Sequence, residues 1–204
     1  MDENQKSSTV ANRERCDSVH MKDILIVQPP ASFENDNPVL PQSSVGIGML
    51  TIMAYIEAHG YSGEVVHIPR ALEAGLGMDH VMERICAANP KLIAIGLNWL
   101  HFSDGAIRLA EILREKLPNA SIVIGGQHAT LFSEEIVNNC DAIEGVTVGE
   151  SEITILKLLE SSSRETRKLP PVKGLTYRAQ DGRIITSKPE IVEDIDSLPF
   201  YGYK

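Results

Sequence analysis

Ile122-Val123-Ile124-Gly125-Gly126-Gln127-His128-Ala129-Thr130 sets an apolar, β-branched run directly against a glycine pair and the start of a helix-like segment. A second corner of the same kind follows: Ile143 to Val148 is strand-like and Gly149-Glu150-Ser151-Glu152 opens the next helical run. Glycines at such corners let a ligand approach the backbone. The helix that follows offers free N–H groups and a positive dipole end. Both corners point to a parallel α/β sheet with its site along one edge.

The rest of the chain repeats the alternation. Asp23 to Gln28 carries Ile24-Leu25-Ile26-Val27, a continuous apolar run of the kind a strand buried on both faces shows, and Pro29-Pro30 ends it. A polar, proline-rich loop runs on to about Ser44. Met49, Ile52, Met53 and Ile56 share one helical face between Gly46 and His59, and Gly60 suits the position after a helix end. Val65-Val66-His67-Ile68 reads as the second strand, stopped by Pro69. Met78, Val81, Met82 and Ile85 mark the next helix, and Leu92 to Leu97 the third strand. Ser103 is placed to cap a helix bearing Ala106, Leu109, Ala110, Leu113 and Leu117. Ile122 to Ile124 is the fourth strand, Thr130 a candidate cap for a short helix through Val137, Ile143 to Val148 the fifth strand and Ser151 to Glu160 the fifth helix. Five strand–helix units predict a Rossmann-like or flavodoxin-like, doubly wound, parallel five-stranded sheet with right-handed crossovers. Beyond Ser161-Ser162-Ser163 the pattern changes. Gly174 to Arg178 and Arg183 to Thr186 flank Asp181-Gly182, a hairpin turn signal. The expected organisation is a disordered extension over residues 1–21, the sheet domain over 22–162, and a hairpin with a linker over 163–204. Ile195 to Tyr201 reads as the start of a connection to something further.

Composition excludes several classes. A net charge of −9 leaves no basic face for nucleic acid. No apolar run reaches the ~18 residues of a membrane span, and residues 1–20 lack the apolar segment of a signal peptide. Cys16, Cys86 and Cys140 stand far apart, so neither a disulfide framework nor a metal cluster is indicated, and a reduced, cytoplasmic setting is the default. There is no GxxxxGK[ST] loop, no GxGxxG turn after the first strand and no GxSxG elbow.

Three further groups stand at the same predicted edge. Asn98-Trp99-Leu100-His101-Phe102 follows the third strand and holds the only Trp of the chain; it can support a planar ligand or lid the sheet edge. His128 can serve as a ligand, as a hydrogen-bond donor, or only to order its turn. Glu150 and Glu152 suit a charged helix start, or hydrogen bonding to a ligand or partner domain.

These residues carry a resemblance. From about Lys22 to the C-terminus the chain is similar to the N-terminal cobalamin-binding domain of radical SAM enzymes. The similarity rests on Val27-Gln28-Pro29-Pro30, the Gly46 turn, Gly125-Gly126-Gln127-His128-Ala129-Thr130, Gly149-Glu150-Ser151-Glu152, the Gly174 to Arg178 strand and Asp194-Ile195-Asp196-Ser197-Leu198-Pro199. It implies a corrinoid at the strand carboxyl ends with its nucleotide tail between sheet and helices. It assigns Pro30, Asn98, Leu100, Gly125, Gly126, His128, Gly149 and Glu150 to cofactor binding, with no catalytic residue and no protein ligand set for a metal. The DxHxxG loop of corrinoid carriers is missing, so cobalt ligation by such a histidine is not expected. Asn98-Trp99-Leu100 stands for Ser-x-Leu, Ile68-Pro69-Arg70 stands where an acidic residue is usual, and Ser151 replaces the second glycine of Gly-Glu-Gly-Glu. No CxxxCxxC motif occurs, so S-adenosylmethionine and its [4Fe–4S] cluster would belong to a radical SAM barrel in cis or trans, and no turnover is expected from this chain alone. Two rivals stay open: a cofactor-free docking domain, and a small enzyme on a flavodoxin-like sheet using Glu150 with His128.

Overall fold

Adjacent residues of one strand divide between two apolar layers, and this alternation explains the architecture. In β1 (Ile24–Gln28), Ile24 and Ile26 pack into one layer and Leu25 and Val27 into the other. β3 (Leu92–Gly96) and β4 (Ser121–Gly125) divide in the same way, as strands covered on both faces must. The computed structural model describes residues 21–33, 45–165, 167 and 169–199. Most of the expected N-terminal extension, most of the proline-rich loop and Phe200-Tyr201 lie outside the described residues.

β1, β2 (Gly63–His67), β3, β4 and β5 (Gly145–Thr147) run parallel in the order β2-β1-β3-β4-β5. That is the flavodoxin-like doubly wound order, whose chain reversal falls between β1 and β3. The hairpin forms as expected and goes further: β6 (Leu175–Arg178) pairs antiparallel with β5, and β7 (Ile184–Thr186) with β6, so it extends the sheet to seven strands.

The two faces are covered unequally. Among the described helices, one face carries α1 (Ile47–Ala58) and α7 (Glu152–Ser161), through Met49, Met53 and Ile56 and through Ile155, Leu158 and Leu159. The other carries α2 (Ile68–Glu73), α3 (Met78–Ala88), α4 (Ser103–Lys116), α5 (Gln127–Leu131) and α6 (Ser133–Asn139), with Val81, Ile85, Leu109 and Leu113 at its centre.

Three local expectations are corrected. Pro69 does not simply stop a strand: it opens α2, whose start is capped by His67 Nδ1 accepting the Arg70 N–H at 3.1 Å. Ser103 is the first residue of α4, and a short 3-10 turn, Leu100–Phe102, leads into it. Thr130 caps nothing. It lies inside α5, and its hydroxyl accepts the Gly149 N–H at 3.1 Å. The expected single helix is split at Phe132 into α5 and α6.

The amino ends of the strands are clamped by charge. Arg114 reaches both carboxyl oxygens of Glu144 at 2.8 Å and the carbonyls of Ala142, Pro118 and Ala120, while Glu144 accepts the Ile122 N–H. Burial pushes the Glu144 carboxyl up from its ordinary range even beside this cation. Asp23, bridged to Lys91 at 2.8 Å, ties the start of β1 to that of β3. The opposite edge has no comparable clamp among the described residues.

Candidate functional site

At that opposite edge the carboxyl ends of β1, β3, β4 and β5 border a cleft of about 570 Å³. Small-molecule sites typically measure about 300–1,000 Å³. The floor is built from short residues, Ala94 in the middle of β3 and Gly96 at its end, which pairs across the sheet with Gly125 at the rim. Gly48, Met49 and Ile52 of α1 form one wall, and Glu152 and Ile155 of α7 the other. The opening lies between the first turns of α1 and α7, over the short residues of β3.

Five of the eight sequence-assigned residues line this cleft: Asn98, Gly125, Gly126, Gly149 and Glu150. The glycines act in different ways. A Cβ on Gly125 would lie 2.3 Å from Thr147 Oγ1, so its space is taken by the protein's own hydroxyl. Gly126 has φ +116°, and a Cβ there would meet Leu97 O at 2.8 Å and Asn98 Oδ1 at 2.7 Å. Its absent side chain lets the turns after β3 and β4 touch. Asn98 completes that junction by accepting the Gln127 N–H at 3.2 Å. Gly125 and Gly126 therefore shape the rim. A Cβ on Gly46 or Gly48 would meet nothing within 4 Å, so these two leave the mouth open.

The other three lie elsewhere. Pro30 is buried, and its carbonyl oxygen stands 1.8 Å from where a Cβ on Gly105 would be, so it locks the loop after β1 onto α4. Leu100 projects from the 3-10 turn, 71% exposed. His128 faces the other side of the sheet: its ring packs on Phe132 at 4.7 Å, and it lines a separate cavity of about 270 Å³ with Leu97, Ile107 and Cys140. The pairing of His128 with Glu150 that a small enzyme would need is not formed, because the two residues line different cavities.

Phe102 is packed in the core, but Trp99 is 55% exposed and is not among the residues lining the cleft, so no aromatic among the described residues plugs it. Ile47, 81% exposed, and Leu100 add apolar surface along the same edge.

Sequence reasoning misses Ala94 and Thr147 as parts of the floor. A small residue in an apolar run gives no warning that it stands under a gap between helices. In sequence Glu152 is only a second helix-start acid beside Glu150, yet the structure separates them. Glu150 is exposed on the rim, whereas Glu152 is 9% exposed and its Oε2 has no hydrogen-bond partner among the described residues. The described residues contain no group of three or more His, Cys, Asp or Glu side chains able to hold a metal ion, and none of their helices is long and apolar enough to cross a membrane.

Sheet order, carboxyl-edge cleft and glycine corners define a doubly wound ligand-binding domain of the flavodoxin-like type. More specifically, residues 39–159, over half of the chain, match the B12 binding domain, and the chain belongs to that family. An anaerobic magnesium-protoporphyrin IX monomethyl ester cyclase of Synechocystis is 32% identical over 117 residues, 57% of this chain and 23% of that protein. An uncharacterized methyltransferase of Pyrococcus horikoshii is 26% identical over 181 residues, 88% of this chain and 38% of the relative. The cytidylyl-2-hydroxyethylphosphonate methyltransferase of Streptomyces wedmorensis is 24% identical over 183 residues, 82% and 33% respectively. The chain thus spans well under half the length of each.

Proposed function

We propose that this chain is the cobalamin-binding module of a cobalamin-dependent radical SAM protein, positioning a corrin for methyl transfer or radical chemistry performed with a catalytic domain in cis or in trans. The observation that carries the reading is the open, short-residue cleft at the chain reversal of a B12-binding-domain fold. The residues present fit such a cofactor. The floor of Ala94 and Gly96 leaves room for an inserted group, with Met49 and Ile52 of α1 on one side and Glu152 and Ile155 of α7 on the other. None of the described residues lining the cleft is a histidine. When bound, cobalamin supplies the carbon–cobalt chemistry; the protein supplies burial and orientation. Gly125, Gly126 and Asn98 hold the rim in shape, Gly149 and Glu150 border it, and α1 and α7 shield the inserted part from water. Two methyltransferases and a cyclase among the relatives, by name, are in keeping with such chemistry. A reducing, cytoplasmic setting accords with the free thiols of Cys86 and Cys140.

The exposed apolar edge of Ile47, Trp99 and Leu100 favours a second reading, a docking face for a partner domain without cofactor. Hydroxocobalamin mixed with the purified chain separates the two. Under the first reading, the visible spectrum shifts and the colour travels with the protein through gel filtration. Passage of all colour in the small-molecule fraction, with the melting transition of the protein intact, rejects cobalamin binding and leaves the docking reading.

A further inference from the structure

Residues 187–190 follow β7 and return to the carboxyl edge of the parallel strands. The Lys188 carbonyl accepts the Gly174 N–H at 2.9 Å, and the Gly174 carbonyl accepts the Val148 N–H at 2.8 Å. This ladder brings Pro189 onto Gly149, which borders the cleft. A Cβ on Gly149 would lie 2.9 Å from Pro189 Cβ, and the residue has φ +76°, a conformation that favours glycine. The missing side chain is what lets the segment lie on the corner. From another direction Thr130 Oγ1 accepts the Gly149 N–H. The corner is thus held between α5 and the segment after β7. One residue on, Glu190 Oε2 meets Lys157 Nζ of α7 at 2.5 Å. Among the described residues this is the one ion pair that joins the segment to that helix, whose Ile155 walls the cleft. Beyond the pair, Ile191 and Ile195 are exposed.

We propose that Glu190 is a positioning residue for the cleft: paired with Lys157, it holds Pro189 against Gly149 and couples the path of residues 191–199 to ligand binding. The inference rests on the cobalamin reading above and adds a regulation of the same site. The coupling is reciprocal. Displacing the segment loosens the corner and weakens binding, and a bound ligand holds the segment in place by the same factor. Both partners of the ion pair are partly exposed, so the factor is modest, about threefold to tenfold when the attraction is turned into repulsion.

Hydroxocobalamin titrations of the full chain carrying Glu190→Lys, Lys157→Glu, or both together test this. Each single variant should bind about threefold to tenfold less tightly, and the exchange of both charges should restore affinity to within about twofold of wild type. Thermal melts report that all three fold. In wild-type protein, saturating hydroxocobalamin should also slow cleavage after the exposed Glu193 by a Glu-specific protease, because cleavage follows the population of the displaced segment; in Glu190→Lys this protection should be lost. Unchanged affinity in the folded single variants overturns the inference while the cobalamin reading stands. A loss that the charge exchange does not restore overturns it too, since the pair is then not its cause. Equal cleavage rates with and without bound hydroxocobalamin in wild-type protein remove the coupling. Wild-type protein that takes up no colour removes the cobalamin reading itself, and the inference with it.

Discussion

Ala94 offers the cleanest separation of binding from stability. It sits mid-strand in β3, in register with Ile26 of β1 and Val123 of β4, and it is half-buried because the cleft lies over it. Ala94→Leu adds three carbons into that space. Each fully buried methylene stabilises by about 0.8 kcal/mol; with the added group only partly covered, a gain of about 1 kcal/mol is the reasonable ceiling. The roughly 1–3 kcal/mol cost of overpacking does not arise in the free protein, because the leucine has room. It arises once a ligand lies on the floor, where about 1–3 kcal/mol becomes a loss of about 5- to 150-fold in affinity. The variant should therefore melt at the wild-type temperature or up to ~4 °C higher and still bind hydroxocobalamin several-fold to two orders of magnitude less tightly, read by spectral titration beside a thermal melt. Wild-type affinity in a well-folded Ala94→Leu would show that the ligand does not use this floor. A fall in melting temperature would show that the space over β3 is closed.

Other perturbations have distinct signatures. His128→Ala removes a ring that faces the smaller cavity, so hydroxocobalamin affinity should change by no more than about twofold; a larger loss in a titration would place the ligand across both faces of the sheet. Gly126→Ala forces a side chain into a conformation almost reserved for glycine and onto Leu97 O, 2.8 Å from the new Cβ, which should cost about 2–5 kcal/mol in a urea melt. An unchanged midpoint would mean that the β3 and β4 turns part without penalty. Burial pushes the Asp23 carboxyl up, but hydrogen bonds from Lys91 and Ser62 outweigh it and hold it at about 2. A carboxyl depressed by folding stabilises above its unfolded pKa of ~4 and loses that contribution as pH falls through ~2. Asp23→Asn should thus lower stability at pH 6 by about 1–2 kcal/mol, after allowance for solvent screening, with the deficit closing as the pH approaches 2; an equal deficit at pH 6 and pH 2 would count against the ion pair.

The strands are legible in the sequence because three of them are apolar on both faces, a pattern that only a covered parallel sheet tolerates. Ile24 to Val27 and Ile122 to Ile124 leave little room for another reading. Helix boundaries are less legible where a residue can serve two states. Pro69 ends a strand or starts a helix equally well, and what decides is the His67 ring accepting the Arg70 N–H, a contact between side chain and backbone with no sequence period. Thr130 looks like a cap because its hydroxyl wants a donor, but the donor it finds is the Gly149 amide, from another strand end. In the site, the glycine corners announce themselves by composition. Their division of labour does not, since Gly125 accommodates Thr147 and Gly126 accommodates Asn98, both distant in sequence.

The same limit explains His128. In sequence it stands two residues from Gly126 and shares its corner. In the fold, α5 begins at Gln127, so His128 is already on a helix of the opposite layer, while the backbone of Gly125 and Gly126 still borders the cleft. A strand end in a doubly wound sheet distributes successive residues to both faces, and only the helix that follows decides which face is reached. After β4 the chain crosses to the five-helix side; after β5 it returns beside α1. The corner following β5 therefore delivers Ser151, Glu152 and Ile155 into the cleft. By that topology, the second glycine corner rather than the first should carry the polar contacts to the inserted part of a ligand, and the first should set the width of the mouth.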